Sequence, residues 1–322
     1  MVDTVTLKNG IEELINGNSI DANVFVVIKN ANSNFEIQKL DIDNQYQSEL
    51  LAQFKQLLLD KLINSTSLEV IKISQYEKKD HQVIYEFDLN DKPAYVKTIL
   101  EFNPLSVSAN FNISDINNIH GFVVVIGNDQ NYLKLYQHRF NSNIIGRKTR
   151  MCITKYEDRF ILLANDVISI ESRIDLLIHG ENIYVNNIKM LEKNFGFHEL
   201  INKQVLQLIA DKVVASNLLN STDKLNEFVH KSTAFARRLL RVIPISPVLV
   251  NNISLITIDE ALKGYSRELQ NNLKYTTDGS KIIVKTKKDA DFFVDVLEDY
   301  FPIPIISKLH SEKQSQSLEA VI

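Results

Sequence analysis

The sequence predicts an α+β protein: mixed, largely antiparallel sheets with flanking helices, arranged in two domains. Three observations carry this. Short apolar runs alternate with polar residues and stop at turn residues, as half-buried strands do; Tyr132-Leu133-Lys134-Leu135-Tyr136 and Asn182-Ile183-Tyr184-Val185 are of this kind. Other stretches, such as Leu50 to Ile63, place apolar residues every three or four positions, the period of a helix with one buried face. A chain of 322 residues, 44% hydrophobic, also has enough apolar surface for two cores.

The first domain is expected over residues 1–115. Gly10 to Asn16 reads as a short helix, and Asn23 to Ile28 and Phe35 to Leu40 as strands. Ser48 can cap the helix that carries Leu50, Leu51, Phe54, Leu57, Leu58 and Ile63. Leu68 to Ile73 and Val83 to Phe87 follow as strands on either side of the charged loop Glu77-Lys78-Lys79-Asp80. Leu105 to Ile119 is rich in Asn and Ser, has no period, and marks the domain junction.

The second domain is expected over residues 120–310, with 311–322 as a polar tail. Phe122 to Ile126 reads as a fully buried strand. The Gly180-Glu181 pair suits a type II′ hairpin, because Gly takes positive φ at no steric cost. His198 to Val214 and Thr222 to Val242 have helical periodicity, and Pro244 stops the second. On that second helix Leu225, Phe228, Val229, Phe235, Ala236, Leu239 and Leu240 share one side, and Lys231, Arg237, Arg238 and Arg241 the other. Ile258 to Asn271 is a further helix, and Asp278-Gly279 marks another hairpin. Thr286-Lys287-Lys288-Asp289 resembles a capping box opening a helix through Tyr300.

Several chemistries find no support. The single cysteine, Cys152, excludes an intrachain disulfide and a four-cysteine zinc site, and fits a reducing compartment. Its alternating surroundings favour packing over a nucleophile's role. The N-terminus lacks a signal-peptide pattern and no window holds eighteen apolar residues, so a cytoplasmic protein is expected. There is no GxxxxGK[ST], GxGxxG or HExxH motif, and the seven histidines are dispersed. No metal or cofactor is expected. A metal-dependent nuclease remains an alternative, but Glu77-Lys78-Lys79 falls in a loop and lacks an upstream acid. Asp41-Ile42-Asp43-Asn44 lacks the Gly and closing Glu of a calcium loop.

Charge is the positive signal. The net charge of −4 conceals an asymmetry: residues 1–130 hold ten Lys, no Arg and eighteen acids, whereas all nine arginines lie at or after Arg139. Arginine's planar fork suits phosphate. Three clusters stand out. Lys134 to Arg159 contains seven cations and two acids; Lys231 to Arg241 and Lys281 to Lys288 each contain four cations and no acid. Each could be a solvated face. Together they point to a polyanion. The candidate phosphate contacts are Arg147, Lys148, Arg150 and Lys155 in the first cluster, Lys231, Arg237, Arg238 and Arg241 in the second, and Lys281, Lys285, Lys287 and Lys288 in the third. Lys287 and Lys288 oppose the positive end of a helix dipole, which an anion there would relieve. No residue set points to catalysis, so a non-enzymatic DNA-binding protein is the first reading and an interaction module the second.

Residues 120–310 resemble the KwaB family, component B of the Kiwa anti-phage defence system. The likeness lies in the segment Gly146–Ile153, in Phe160-Ile161-Leu162-Leu163, and in the hairpin from Asp175 to Ile183-Tyr184-Val185. It continues with Phe195 and with Gly279 to Lys288 before a Phe-rich helix. The resemblance implies a cytoplasmic DNA-binding effector that acts with a membrane-embedded partner, Kiwa component A (KwaA), and forms a homodimer or higher oligomer. It supplies no catalytic motif, so the basic positions above come from charge alone.

Overall fold

The apolar run that follows residue 118 becomes an interior strand of an eight-stranded sheet. The protein is described by a computed structural model covering residues 4–29, 34–76, 82–107, 110–140, 143–145, 153–156, 158–162, 167–263 and 273–299. It divides into two units, Met1–Ile73 with Glu77–Gly196, and Ser74–Tyr76 with Phe197–Ile322. The division thus follows Gly196 and not the expected junction at 115–120. The physical reason is that one sheet takes strands from both sides of the Asn/Ser-rich stretch, which folds into short 3-10 turns at Pro104–Ser106 and Ile113–Asn118.

The first unit runs α1 (Thr4–Ile15), β1 (Asp21–Lys29), β2 (Phe35–Lys39), α2 (Asn44–Leu58), β3 (Glu69–Lys72), β4 (Val83–Glu86), α3 (Ala94–Glu101), β5 (Ile119–Gly127) and β6 (Tyr132–His138). It continues with β7 (Ile144–Ile145), β8 (Ile153–Tyr156), β9 (Arg159–Leu162), β10 (Val167–Ile168), β11 (Leu176–His179), β12 (Asn182–Val185) and α4 (Ile188–Asn194). The large sheet has the order β2-β1-β5-β6-β11-β12-β4-β3. Every neighbouring pair is antiparallel except β3–β4, which is parallel. Gly180 takes φ +57° at the β11–β12 tip, and Glu181 does not take positive φ, the combination of a type II′ turn.

Strand alternation sends Val24, Val124, Ile126, Leu133, Leu135 and Leu177 to one face, where Leu7 and Ile11 of α1 and Phe54 and Leu58 of α2 cover them. Asp43 caps α2, accepting from the Gln45 N–H at 2.9 Å. Ser48, expected as the cap, lies a turn further in and donates back to the Asn44 carbonyl at 3.0 Å. The other face carries α3, which buries Tyr95, Val96 and Ile99 and which the sequence did not announce. Tyr136 is fully buried on this face. Gly121 on the neighbouring strand makes room for it, since a Cβ there would lie 2.4 Å from the Tyr136 ring.

Lys134 ties α3 to the sheet. It is 4% exposed. Its ammonium donates to the carbonyls of Ile99 (3.0 Å), Leu100 (2.6 Å) and Phe102 (2.7 Å), and sits 4.7 Å from the Phe102 ring centroid. These carbonyls end a helix and lack intrahelical partners, so a cation meets both unsatisfied acceptors and the negative end of the dipole. Burial lowers its pKa to about 8. The first residue of the first basic cluster is therefore an internal helix cap.

The second unit comprises α5 (Phe197–Leu208), α6 (Asp223–Lys231), α7 (Thr233–Ile245), α8 (Pro247–Val250), α9 (Leu255–Leu262), β13 (Lys274–Tyr275), β14 (Ile282–Ile283) and α10 (Lys287–Glu298). The single helix expected over 222–242 is two. Ser232 adopts extended backbone, and its hydroxyl accepts from the Phe235 N–H at 3.3 Å to cap α7. The apolar stripe nevertheless continues across the break, with Leu225, Val229, Phe235, Ala236, Leu239 and Leu240 all buried. Pro244 falls inside the last turn of α7. The helix expected over 258–271 is α9 as far as Leu262, and residues 264–272 lie outside the described residues. Among the described residues no single helix is long and apolar enough to cross a membrane.

Replacing Lys134 by Met keeps its bulk but leaves three carbonyls without their donor. Urea unfolding should register a loss of about 3 kcal/mol, and an unchanged midpoint would rule out the cap.

Candidate nucleic-acid interface

The second unit holds two of the three basic clusters, and its helices decide where those charges point. On α7 the buried stripe turns Arg237, Arg238 and Arg241 to the other side, each half-exposed. There Arg238 and Arg241 meet α10. Arg238 donates through Nη2 to Asp295 Oδ1 (2.5 Å) and Glu298 Oε2 (2.6 Å), and through Nε to Glu298 Oε2 (3.1 Å). Arg241 reaches Glu298 Oε1 at 3.4 Å. Burial alone would lower the Arg238 pKa, but the bonds to Asp295 and Glu298 outweigh it and raise the value. Arg237 lies over the Tyr76 ring at 4.8 Å, and burial lowers its pKa. Lys231 ends α6, where it shares Glu227 (2.5 Å) with Lys224 (2.6 Å). Those two lysines hold the Glu227 pKa at about 2.

The third cluster surrounds the start of α10. β13 and β14 pair Lys274 with Ile283 and Tyr275 with Ile282. Their connection turns at Gly279, φ +69°, with the Asp278 carboxylate accepting from the Ser280 N–H (3.1 Å) and the Thr276 hydroxyl (2.5 Å). The capping box forms as expected. Thr286 accepts from the Asp289 N–H, while Asp289 Oδ2 accepts from the N–H groups of Thr286 (2.9 Å) and Lys285 (3.0 Å). Asp289 is buried and its Oδ1 receives the Lys274 ammonium at 2.6 Å. Burial pushes its pKa up, but the Lys274 ammonium and the backbone donors more than reverse this, to about 2. The anion that the two first-turn lysines require is thus the chain's own carboxylate. Lys287 pairs with Asp291 and lies 4.1 Å from the Phe235 ring centroid. Lys285 and Lys288 are exposed and Lys281 is half-exposed; among the described residues no carboxylate forms an ion pair with any of the three.

In the first unit, Arg147, Lys148 and Arg150 lie outside the described residues, as does Cys152. Lys155 sits on β8, paired through its backbone with Phe160 of β9. This two-stranded hairpin stands apart from the large sheet and exposes Ile153 (65%), Phe160 (71%), Ile161 and Leu162. Arg173 is occupied internally, bonding Glu171 (2.8 Å), Asp175 (2.5 Å) and the His138 carbonyl. Among the described residues no three His, Cys, Asp or Glu side chains gather as a metal-binding group. Sequence reasoning missed the acids of α10 that hold the cations. Their signal was the 4 and 3 spacing of Asp291, Asp295 and Glu298, which places them on one helix face.

Two outcomes follow for this corner of the molecule. The folded pKa of Asp289 lies below the ordinary carboxylate value, so its contribution is complete above about pH 4 and disappears as pH falls towards 2. Asp289→Asn should cost about 1–2 kcal/mol at pH 7 and flatten the acid limb of the stability curve. A double-mutant cycle on Arg238→Gln and Glu298→Gln should give a coupling above about 1 kcal/mol by thermal unfolding; zero coupling would place the pair at a negligible strength.

The family model described as Kiwa protein KwaB-like matches residues 116–306, more than half of the chain. A Kiwa protein KwaB of Escherichia coli O55:H7 (strain RM12579 / EPEC) is 23% identical over 301 residues, which cover 92% of this chain and 92% of that protein. No solved structure matches. On the match that runs from β5 through α10 to residue 306, the chain belongs to the KwaB family.

Proposed function

We propose that this Kiwa anti-phage defence component is a non-enzymatic protein that binds DNA largely independently of sequence, using lysines of its second unit. One observation carries the reading. At the β14–α10 corner Lys281, Lys285 and Lys288 stand without carboxylate partners among the described residues, while neighbouring cations are held by α10. Lysine ammonium groups act as point charges, which attract phosphate without reading bases. Arg238 and Arg241 serve the fold in this reading, and Lys231 and Lys287 are already paired within their own helices.

An adaptor that docks onto a membrane-embedded partner, component A of Kiwa (KwaA), is the second reading. The exposed apolar residues of the β8–β9 hairpin favour it, since an isolated two-stranded hairpin gains little stability in water by itself. Substituting Phe160→Ser and Leu162→Ser would abolish co-purification with that partner in this reading and leave DNA binding intact. A magnesium-dependent nuclease is the third, and incubation with supercoiled plasmid tests it directly.

For the DNA reading, Lys285→Glu with Lys288→Glu should weaken binding to a duplex by fluorescence anisotropy without lowering the melting temperature. The log–log salt slope should flatten by roughly 2, since each phosphate that is no longer neutralised removes about 0.9. Affinity and slope unchanged in a normally folded variant would exclude this corner.

A further inference from the structure

A β-bulge in the first unit gathers cationic side chains that the DNA reading does not use. Along β1 and β5 the register pairs Val27 with Gly121 and Ile28 with Ile119, so His120 is the extra residue. By strand parity His120 would share the face of Phe122 and Val124. Ile119 instead joins that core beside Phe122 and Ile28, and His120 turns to the opposite side, where its ring lies 5.8 Å from that of Phe35. Bulges re-aim side chains in this way at the ends and rims of sheets.

The surroundings of His120 are positive. Lys29 ends β1 and is exposed; Arg139 follows β6, and its backbone N–H donates to the His120 carbonyl at 3.0 Å. Arg139 Nη1 donates to the carbonyls of Asn117 (2.8 Å) and Ile119 (2.9 Å), which fixes the guanidinium beside the bulge. Among the described residues neither Lys29 nor Arg139 forms an ion pair with a carboxylate. In sequence, residues 30–33 and 141–142 contain no acid. His138 on β6 stands close enough to feel the His120 charge, and its Nδ1 is 3.0 Å from the Tyr136 hydroxyl. Its ring centroid lies 6.4 Å from that of Phe140 and 5.9 Å from that of Phe195. The Asp175 carboxylate acts on His138, and it already accepts from Arg173, the His138 N–H (2.7 Å) and Asn187 (3.0 Å).

We propose that the His120 bulge, with Lys29 and Arg139, is an anion site that takes a phosphoryl group, either a free phosphate ester or the phosphate at the end of a nucleic-acid strand. The site combines the exposed lysine at the end of β1, an arginine held by two backbone carbonyls after β6 and the re-aimed imidazole of β5. The ring of Phe35 beside His120, and those of Phe140 and Phe195 beside His138, offer apolar surface for a sugar or base. Burial and the charges of Lys29 and Arg139 lower the His120 pKa. A bound dianion opposes both charges, so binding draws a proton onto the imidazole and tightens as pH falls. The groups that set this dependence are Lys29, Arg139 and His138, with Arg173 and Asp175 acting through His138. The site lies wholly in the first unit and stands or falls separately from the lysines of the second.

The test is a titration of the full chain with inorganic phosphate, read by histidine ring NMR and by calorimetry at pH 6 and pH 8. A parallel titration uses one single-stranded oligonucleotide with a 5′-phosphate or a 5′-hydroxyl. Saturable shifts of the His120 signal, with tighter binding at pH 6, are expected. His120→Gln and Lys29→Gln should each weaken phosphate binding roughly tenfold or more; Lys29 is exposed, so its replacement leaves the fold intact. Preference for the 5′-phosphorylated strand identifies a strand end, and equal affinity for both strands with retained phosphate binding identifies a small phosphate ester. Absence of saturation by phosphate, or unchanged affinity in both variants, overturns the site.

Discussion

A row of carboxylates along α10 determines how much of the second unit's positive charge faces outward. Asp289 takes Lys274 and closes the helix N-terminus, Asp291 takes Lys287, and Asp295 with Glu298 takes Arg238 and Arg241. The pairs of Arg238 and Arg241 with Asp295 and Glu298 are half-buried, so removing one partner leaves the other partly desolvated and uncompensated. An external phosphate offered to Arg238 would compete with two oxygens already held at 2.5 and 2.6 Å. Such a geometry favours holding α7 against α10 over binding a mobile polymer.

The first unit follows the same economy of charge. Lys134 closes α3, and Arg173 is held between Glu171, Asp175 and a backbone carbonyl, with its guanidinium 4.1 Å from the Phe140 ring centroid. Asp175 in turn receives donors from β6 and from the segment that begins α4. A count of basic residues along the chain therefore overstates the external field, because cations that finish helices or neutralise buried acids contribute little beyond the fold.

The strands were legible because alternation and turn chemistry are local. β1, β2, β5, β6, β11 and β12 fall where apolar patterning puts them, and the Gly180 and Gly279 turns form with positive φ. The break at Ser232 was hidden by an apolar stripe that stays in phase across it, although Ser is a common capping residue. The parallel pairing of β3 with β4 and the joining of β1 to β5 across the Asn/Ser-rich stretch are long-range choices, and periodicity carries no information about them. At the candidate interface the basic positions were visible but their partners were not, apart from Asp289 in its capping box. The bulge at His120 had no sequence signal, since the dipeptide His120-Gly121 is compatible with an unbroken strand.

The α10 N-terminus shows what kind of contact a polyanion could make there. Helix starts often bind phosphate through free backbone N–H groups. Here the Asp289 N–H is directed to the Thr286 hydroxyl, and the N–H groups of Thr286 and Lys285 to the Asp289 carboxylate. The same carboxylate offsets the helix dipole that Lys287 and Lys288 oppose, so the lysines need no external anion to be tolerated. A phosphate arriving at this corner would meet the exposed ammonium groups of Lys285 and Lys288. Contacts of that type are long-ranged, strongly screened by salt and indifferent to base sequence. In the proposed DNA reading, such contacts hold the polymer without reading its sequence.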